Sequence, residues 1–190
     1  GRIATRRITD AASQKDPHAF LSNLAKTYSP GDSDFAWTRL TLWRQQLAVL
    51  LDQPPYEAVV SVEVTGAVDS PSTDLLAAWL ELTLKVPVVL HRKARGKAVH
   101  GIHGVKLIRK SGTIEVVRNV PDVATLIQPG NPSREISLPR RSLRDCLSED
   151  LRRLDPDDAF GKVITKGFSS KVAKPAITPK GKAAPRNKVK

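Results

Sequence analysis

The stretch from Val59 to Leu90 constrains this chain more than any other, because it packs strand, helix and strand signals into about the 30 residues that a βαβ unit takes. Val59 to Val68 is rich in valine and partly alternating, which is a strand pattern. Ser70 followed by Pro71 reads as an N-cap and first helical position, since a helix start has no use for the N–H that proline lacks. Asp74 suits the positive end of the helix dipole, and Leu75 to Leu84 supplies the apolar stripe. Pro87 to Leu90 then returns as a short apolar strand. Two strands joined in this way run parallel, with a right-handed crossover expected.

Around this unit the remaining signals describe a mixed sheet. Ile102 to Arg109 and Thr113 to Arg118 are β-rich runs flanking Lys110-Ser111-Gly112, a hairpin signal. Further strands are expected at Ala124 to Ile127 and Glu135 to Leu138, separated by Gln128-Pro-Gly-Asn-Pro132. Before the unit, a long helix is expected from an N-cap at Asp32, through Phe35, to Leu51. It places Ala36, Leu40, Trp43, Leu47 and Leu50 at helical spacing and ends before Pro54-Pro55. After Pro139 comes an amphipathic helix with Leu143, Leu147, Leu151 and Leu154 on one side, and Asp155-Pro156 opens a last short helix to about Thr165. The fold class expected is α+β (α/β): a mixed β-sheet with one βαβ unit, a β-hairpin and amphipathic helices packed on it.

Residues 1–30 mix basic and polar residues around Phe20, Leu21 and Leu24 and close on Ser29-Pro30-Gly31. They read as a connecting segment with one short helix, leading from a preceding domain, since the chain opens on Gly-Arg-Ile and contains no methionine. Residues 31–166 are the globular domain, and 167–190, dominated by Lys, Pro, Ala and Gly with no apolar period, are expected to be a disordered basic tail. No apolar stretch approaches the roughly 20 residues that span a bilayer. The single cysteine, Cys146, excludes an intrachain disulfide and suits a reducing cytoplasm.

The net charge of +12 suggests nucleic acid until it is located. From Lys166 to Lys190 there are eight bases and no acid, leaving 23 bases against 19 acids in residues 1–165. The alternative function, a nucleic-acid-binding module, therefore rests on the tail, which has no aromatic residue beyond Phe168 for base stacking.

The residues point to no catalytic group, no cofactor and no metal. His100-x-x-His103 lacks a second ligand pair, and Gly96, Gly101 and Gly104 form neither phosphate-loop pattern. Asp69 to Asp74 sits at a helix start, where free N–H groups can hold an anion, but capping accounts for it more simply. Cys146, among leucines, reads as a buried and inert thiol. Partner binding is the richer signal. Trp37, Thr41, Arg44 and Ala48 form a stripe on the long helix distinct from its core stripe, and Trp and Arg are favoured in binding hot spots, opposed by a reading in which Trp37 covers the edge of the same core. Arg140, Arg141 and Arg144, with Arg152 and Arg153, form a second candidate edge, opposed by a reading in which they pair with Asp145, Glu149 and Asp150.

Six stretches lift the chain out of anonymity: Arg6-Arg-Ile-Thr-Asp-Ala11, Ala36-Trp-Thr-Arg-Leu-Thr-Leu-Trp-Arg44, Leu51-Asp-Gln-Pro-Pro-Tyr-Glu57, Asp69-Ser-Pro-Ser-Thr-Asp-Leu-Leu-Ala-Ala-Trp-Leu80, Leu138-Pro-Arg-Arg-Ser-Leu143 and Leu151-Arg-Arg-Leu-Asp-Pro-Asp157. In this order, over about Arg6 to Lys166, they resemble the actinobacterial OpcA family, in its C-terminal part. The resemblance implies a cytoplasmic, non-catalytic assembly factor or allosteric activator of glucose-6-phosphate dehydrogenase, serving the oxidative pentose phosphate pathway. The partner it implies is that enzyme, with Trp37, Thr41, Arg44, Arg140 and Arg141 as the contacts proposed from the residues.

Overall fold

The computed structural model describes residues 6–93 and 100–168. Strand β1 (Ile8–Thr9) pairs in parallel with β2 (Ser33–Asp34), and α1 (Pro17–Thr27) lies between them in the chain. Asp16 caps α1 by accepting from the Ala19 N–H at 2.9 Å. Leu21 and Leu24, one turn apart, are buried in the main core. Residues 6–30, expected as a connection, are thus built into the body of the domain. A buried carboxylate adds to this join, for Asp34 accepts from Thr9 Oγ1 at 2.6 Å and from the Ala11 N–H at 3.0 Å.

The long helix expected from Asp32 is instead two helices, α2 (Phe35–Thr38) and α3 (Thr41–Leu51). Its cap is Asp34, which accepts from the Ala36 N–H at 2.8 Å. Asp32 is engaged elsewhere, by Arg7 at 2.7 Å and the Ser29 N–H at 2.9 Å. The break has a local cause. The Thr38 carbonyl accepts from Thr41 Oγ1 at 3.0 Å and from Arg141 Nη1 at 2.9 Å, side-chain donors that compete with continuation of the helical ladder.

The βαβ unit stands as read. Strand β3 (Ser61–Ala67), helix α4 (Pro71–Leu84) and strand β4 (Val88–Lys93) bring Val62 opposite Val88 in a parallel pair. Strands β5 (Ile102–Arg109), β6 (Gly112–Arg118), β7 (Val123–Ile127) and β8 (Arg134–Ser137) follow as an antiparallel meander. The six-stranded order is β4-β3-β5-β6-β7-β8, with β3 and β5 antiparallel, so the sheet is mixed. One face carries the buried Val62, Val64, Val105, Leu107, Val116 and Leu126, which share a single core with Trp43, Leu47, Leu75 and Leu80 of the helices. The other face aligns Glu63, Lys106 and Glu115 across three strands, with Lys106 Nζ 3.3 Å from Glu115.

At the bulge between Thr65 and Gly66, a Cβ on Gly66 would lie 2.2 Å from Thr73 Oγ1, so only glycine lets α4 approach this closely. Helix α5 (Leu143–Arg152), helix α6 (Asp158–Lys162) and a π-helical turn (Val163–Gly167) complete the body, with Phe160, Val163, Ile164 and Phe168 joining the core. Among the described residues no helix is long and apolar enough to cross a membrane. The tail expected to be disordered lies, from residue 169 on, outside the described residues.

Candidate interaction surface

Helix α5 begins with a reciprocal cap: the Asp145 N–H donates to Ser142 Oγ at 3.1 Å, and the Ser142 N–H donates to Asp145 Oδ2 at 3.1 Å. The Ser142 hydroxyl, donating to Asp145 Oδ2 at 2.7 Å, and the Ser142 N–H together hold the Asp145 carboxyl below its ordinary range. The helix then meets the rest of the body through polar side chains. Asp150 is buried and accepts from Thr38 Oγ1 at 2.9 Å. Burial pushes its carboxyl up, against the Thr38 bond and the charge of Arg153. Glu149 accepts from Thr41 Oγ1 at 2.9 Å, from Arg153 at 3.0 Å and from Arg141. Arg153 reaches on to Asp157, which also accepts from Trp37 Nε1 at 2.9 Å and the Phe160 N–H at 3.0 Å.

Burial would raise the Asp157 carboxyl, but the Phe160 and Trp37 donors and Arg153 outweigh it and leave it below its ordinary value. The result is a continuous lattice of charge-assisted bonds joining α2, α3, α5 and α6.

This lattice sets the outward face of α5. Its inward residues are Cys146 and Asp150. The leucines, which amphipathic reasoning aims at the sheet, point away from it: Leu143, Leu147, Leu151 and Leu154 are 56%, 42%, 65% and 93% exposed. The physical reason is competition for the same face. Once Asp150 and Glu149 are held by Thr38, Thr41, Arg141 and Arg153, the helix cannot rotate its leucines inward without stranding buried charges.

The residues expected to contact a partner divide accordingly. Trp37 is 1% exposed, packed against Phe160 with ring centroids 5.7 Å apart, so it belongs to the core and not to the surface. Arg44 covers the outer side of that indole at 4.0 Å and donates to Thr41 Oγ1 at 3.4 Å. Thr41 and Arg141, read in the sequence as members of two separate candidates, meet on Glu149. Arg140 stands apart from them, exposed on the rim of an open groove of about 590 Å³ lined also by Leu42, Arg141, Ser148, Glu149 and Arg152. Glu149, read in the sequence as a pairing partner of the arginine edge, and Asp157, which sequence reasoning did not single out, are the hubs. The spacing of Glu149, Arg153 and Asp157 at four-residue steps was their only local signal.

The other sequence candidates have structural partners. Asp74, at the start of α4, pairs with Arg92 at 2.7 Å and with His18 Nδ1 at 2.5 Å, which leaves its carboxylate committed. Cys146 is fully buried and burial pushes its thiol up. Among the described residues, no group of three or more His, Cys, Asp and Glu side chains is placed to hold a metal ion.

Fold and surface together define an α+β domain whose side-chain lattice holds an apolar helix face out to solvent. Residues 30–164 match the family model described as the C-terminal domain of the glucose-6-phosphate dehydrogenase subunit, and the chain belongs to this OpcA family. No curated protein matches it. Membership gives the domain a role related to glucose-6-phosphate dehydrogenase assembly.

Proposed function

We propose that this domain is a non-catalytic partner of glucose-6-phosphate dehydrogenase that favours the enzyme's active oligomer, acting in the cytoplasm to support the oxidative pentose phosphate pathway. The observation that carries the reading is the leucine face of α5, four exposed apolar side chains on and just beyond a helix that its polar lattice keeps from turning inward. Exposed apolar patches on a rigid element are the usual chemistry of protein docking. Arg144, beside the stripe at helical spacing, and Arg140 and Arg152 on the groove rim are exposed cations, so the occupant we assign is an apolar patch of the dehydrogenase bordered by acidic residues. Thr41, Arg44 and Arg141 act from beneath by bracing Glu149 and Trp37.

An assembly factor changes an equilibrium only by binding one state more tightly than the other. The test is dehydrogenase turnover and oligomer mass, measured on the purified enzyme of the same organism with and without the chain in stoichiometric excess. A rise in turnover with a shift in mass supports the reading. A mass shift without a change in turnover would leave assembly and remove activation, and unchanged values in both would refute it for this chain.

A further inference from the structure

Beside the groove, and sharing Arg140 and Arg141 with it, lies a cleft of about 220 Å³ whose lining includes Arg39, Trp43, Ser72 and Arg118. It draws on α3, the first turn of α4, the last residue of β6 and the segment before α5. Four arginines line it, and two of them are already neutralised. Arg39 forms a bidentate pair with Asp10 at 2.7 and 2.9 Å, and Arg141 is held by Glu149. The other two are not. Arg118 is only 7% exposed, and among the described residues no carboxylate is within ion-pair distance of it or of Arg140.

Arg118 has been placed with care for everything except its charge. Its Nη2 donates to the Leu138 carbonyl at 2.6 Å, and its guanidinium lies 5.0 Å from the centre of the Trp43 ring. Its Nε has no hydrogen-bond partner, and neither has the buried Nε1 of Trp43. Both are donors. Burial first, and the neighbouring Arg140 second, depress the Arg118 guanidinium to about 10, and Asp122, beyond ion-pair distance, offsets them only in part. A buried cation beside a second cation is unfavourable unless an anion completes the site. The α4 N-terminus at Ser72 adds positive potential of the same sign. Gly101, with φ +64°, passes so close that a Cβ there would be 3.3 Å from Arg140 Nη1, so the loop leaves Arg140 its position over the cleft.

We propose that this cleft is a binding site for a compact oxyanion, the phosphate group of a small phosphomonoester. Arg118 and Arg140 supply two positive charges against a dianion, Trp43 an indole donor and a flat wall, and the open groove gives room for the organic part of the molecule. Binding would neutralise two arginines that, among the described residues, no carboxylate within ion-pair distance balances, and would tie β6 to the segment that carries α5.

The experiment uses the full chain and inorganic phosphate as the probe, with thermal melting and isothermal titration at an ionic strength held constant with chloride. Saturable binding and a rising melting temperature are expected, because a ligand of the native state alone stabilises it by mass action. Exposed Arg140 changed to Gln is expected to weaken phosphate by about ten-fold or more, through loss of a charge-assisted contact. Arg152→Gln, which removes the same charge from the groove outside the cleft, is expected to leave the affinity unchanged. Arg118→Met is expected to abolish binding, and should that variant not fold, Arg140→Gln decides alone. No saturable binding, or equal losses in Arg140→Gln and Arg152→Gln, would overturn the proposal.

Discussion

Truncating Trp37 to Ala separates a core tryptophan from a surface contact. The side chain is 1% exposed, stacks near Phe160, carries Arg44 over its outer side at 4.0 Å and donates from Nε1 to Asp157 at 2.9 Å. Removing a buried aromatic costs about 3–5 kcal/mol in transfer and cavity terms. The lost bond to Asp157 adds about 1 kcal/mol, less than the roughly 1.5–3 kcal/mol of a bond to a charged group, because that carboxylate keeps Arg153 and the Phe160 N–H. The expected loss is about 4–6 kcal/mol, a large share of the roughly 5–15 kcal/mol that holds a typical domain together. Trp37→Phe keeps most of the ring and loses the donor, and is expected to cost about 1–2 kcal/mol. Urea denaturation, read by circular dichroism, measures both. A loss under about 1 kcal/mol for Trp37→Ala, with dehydrogenase activation abolished, would refute the core assignment and return Trp37 to the surface.

Changing Leu147 and Leu151 together to Gln, a residue of similar helix propensity, is expected to shift stability by less than about 1 kcal/mol while abolishing the effect on dehydrogenase mass and turnover; retained activation would move the docking face elsewhere. The hydrogen bond to Asp74, opposed by partial burial, raises the pKa of His18, whose other ring nitrogen bonds the Val68 carbonyl at 2.9 Å. The folded state therefore holds that proton more tightly than the unfolded chain, so its contribution is complete below the ordinary histidine value of about 6.5 and fades as pH rises through the raised one. Melting curves across that range are expected to show the decline in the native chain and to lack this component in His18→Gln. Gly66→Ala places a methyl 2.2 Å from Thr73 Oγ1 and is expected to cost about 1–3 kcal/mol, measured by thermal melting; an unchanged melting temperature would mean that α4 can move off the strand freely.

Where a segment's own covalent chemistry sets its conformation, the sequence alone sufficed. Ser70-Pro71 starts α4 because a hydroxyl accepts from the Thr73 N–H and a proline needs no donor, and these facts hold in any surroundings. The valine runs on either side of α4 and the hairpin at Lys110-Ser111-Gly112 were legible for the same reason, as was the basic character of the tail. So was the family, because it was written in ordered stretches of sequence.

Tertiary structure decided which way the faces turned. Helical spacing groups Leu143, Leu147, Leu151 and Leu154 on one side but does not say what covers that side, and Glu149 and Asp150, held by Thr38, Thr41 and Arg141, won the inward position. The same holds for the stripe containing Trp37, which the arrival of Phe160 and Asp157, over a hundred residues later, turned into core. Arg39, Arg118, Arg140 and Arg141 share a cleft only because the sheet and two helices bring their segments together. Periodicity is a property of one segment, whereas burial and the balance of charge belong to the segments that meet.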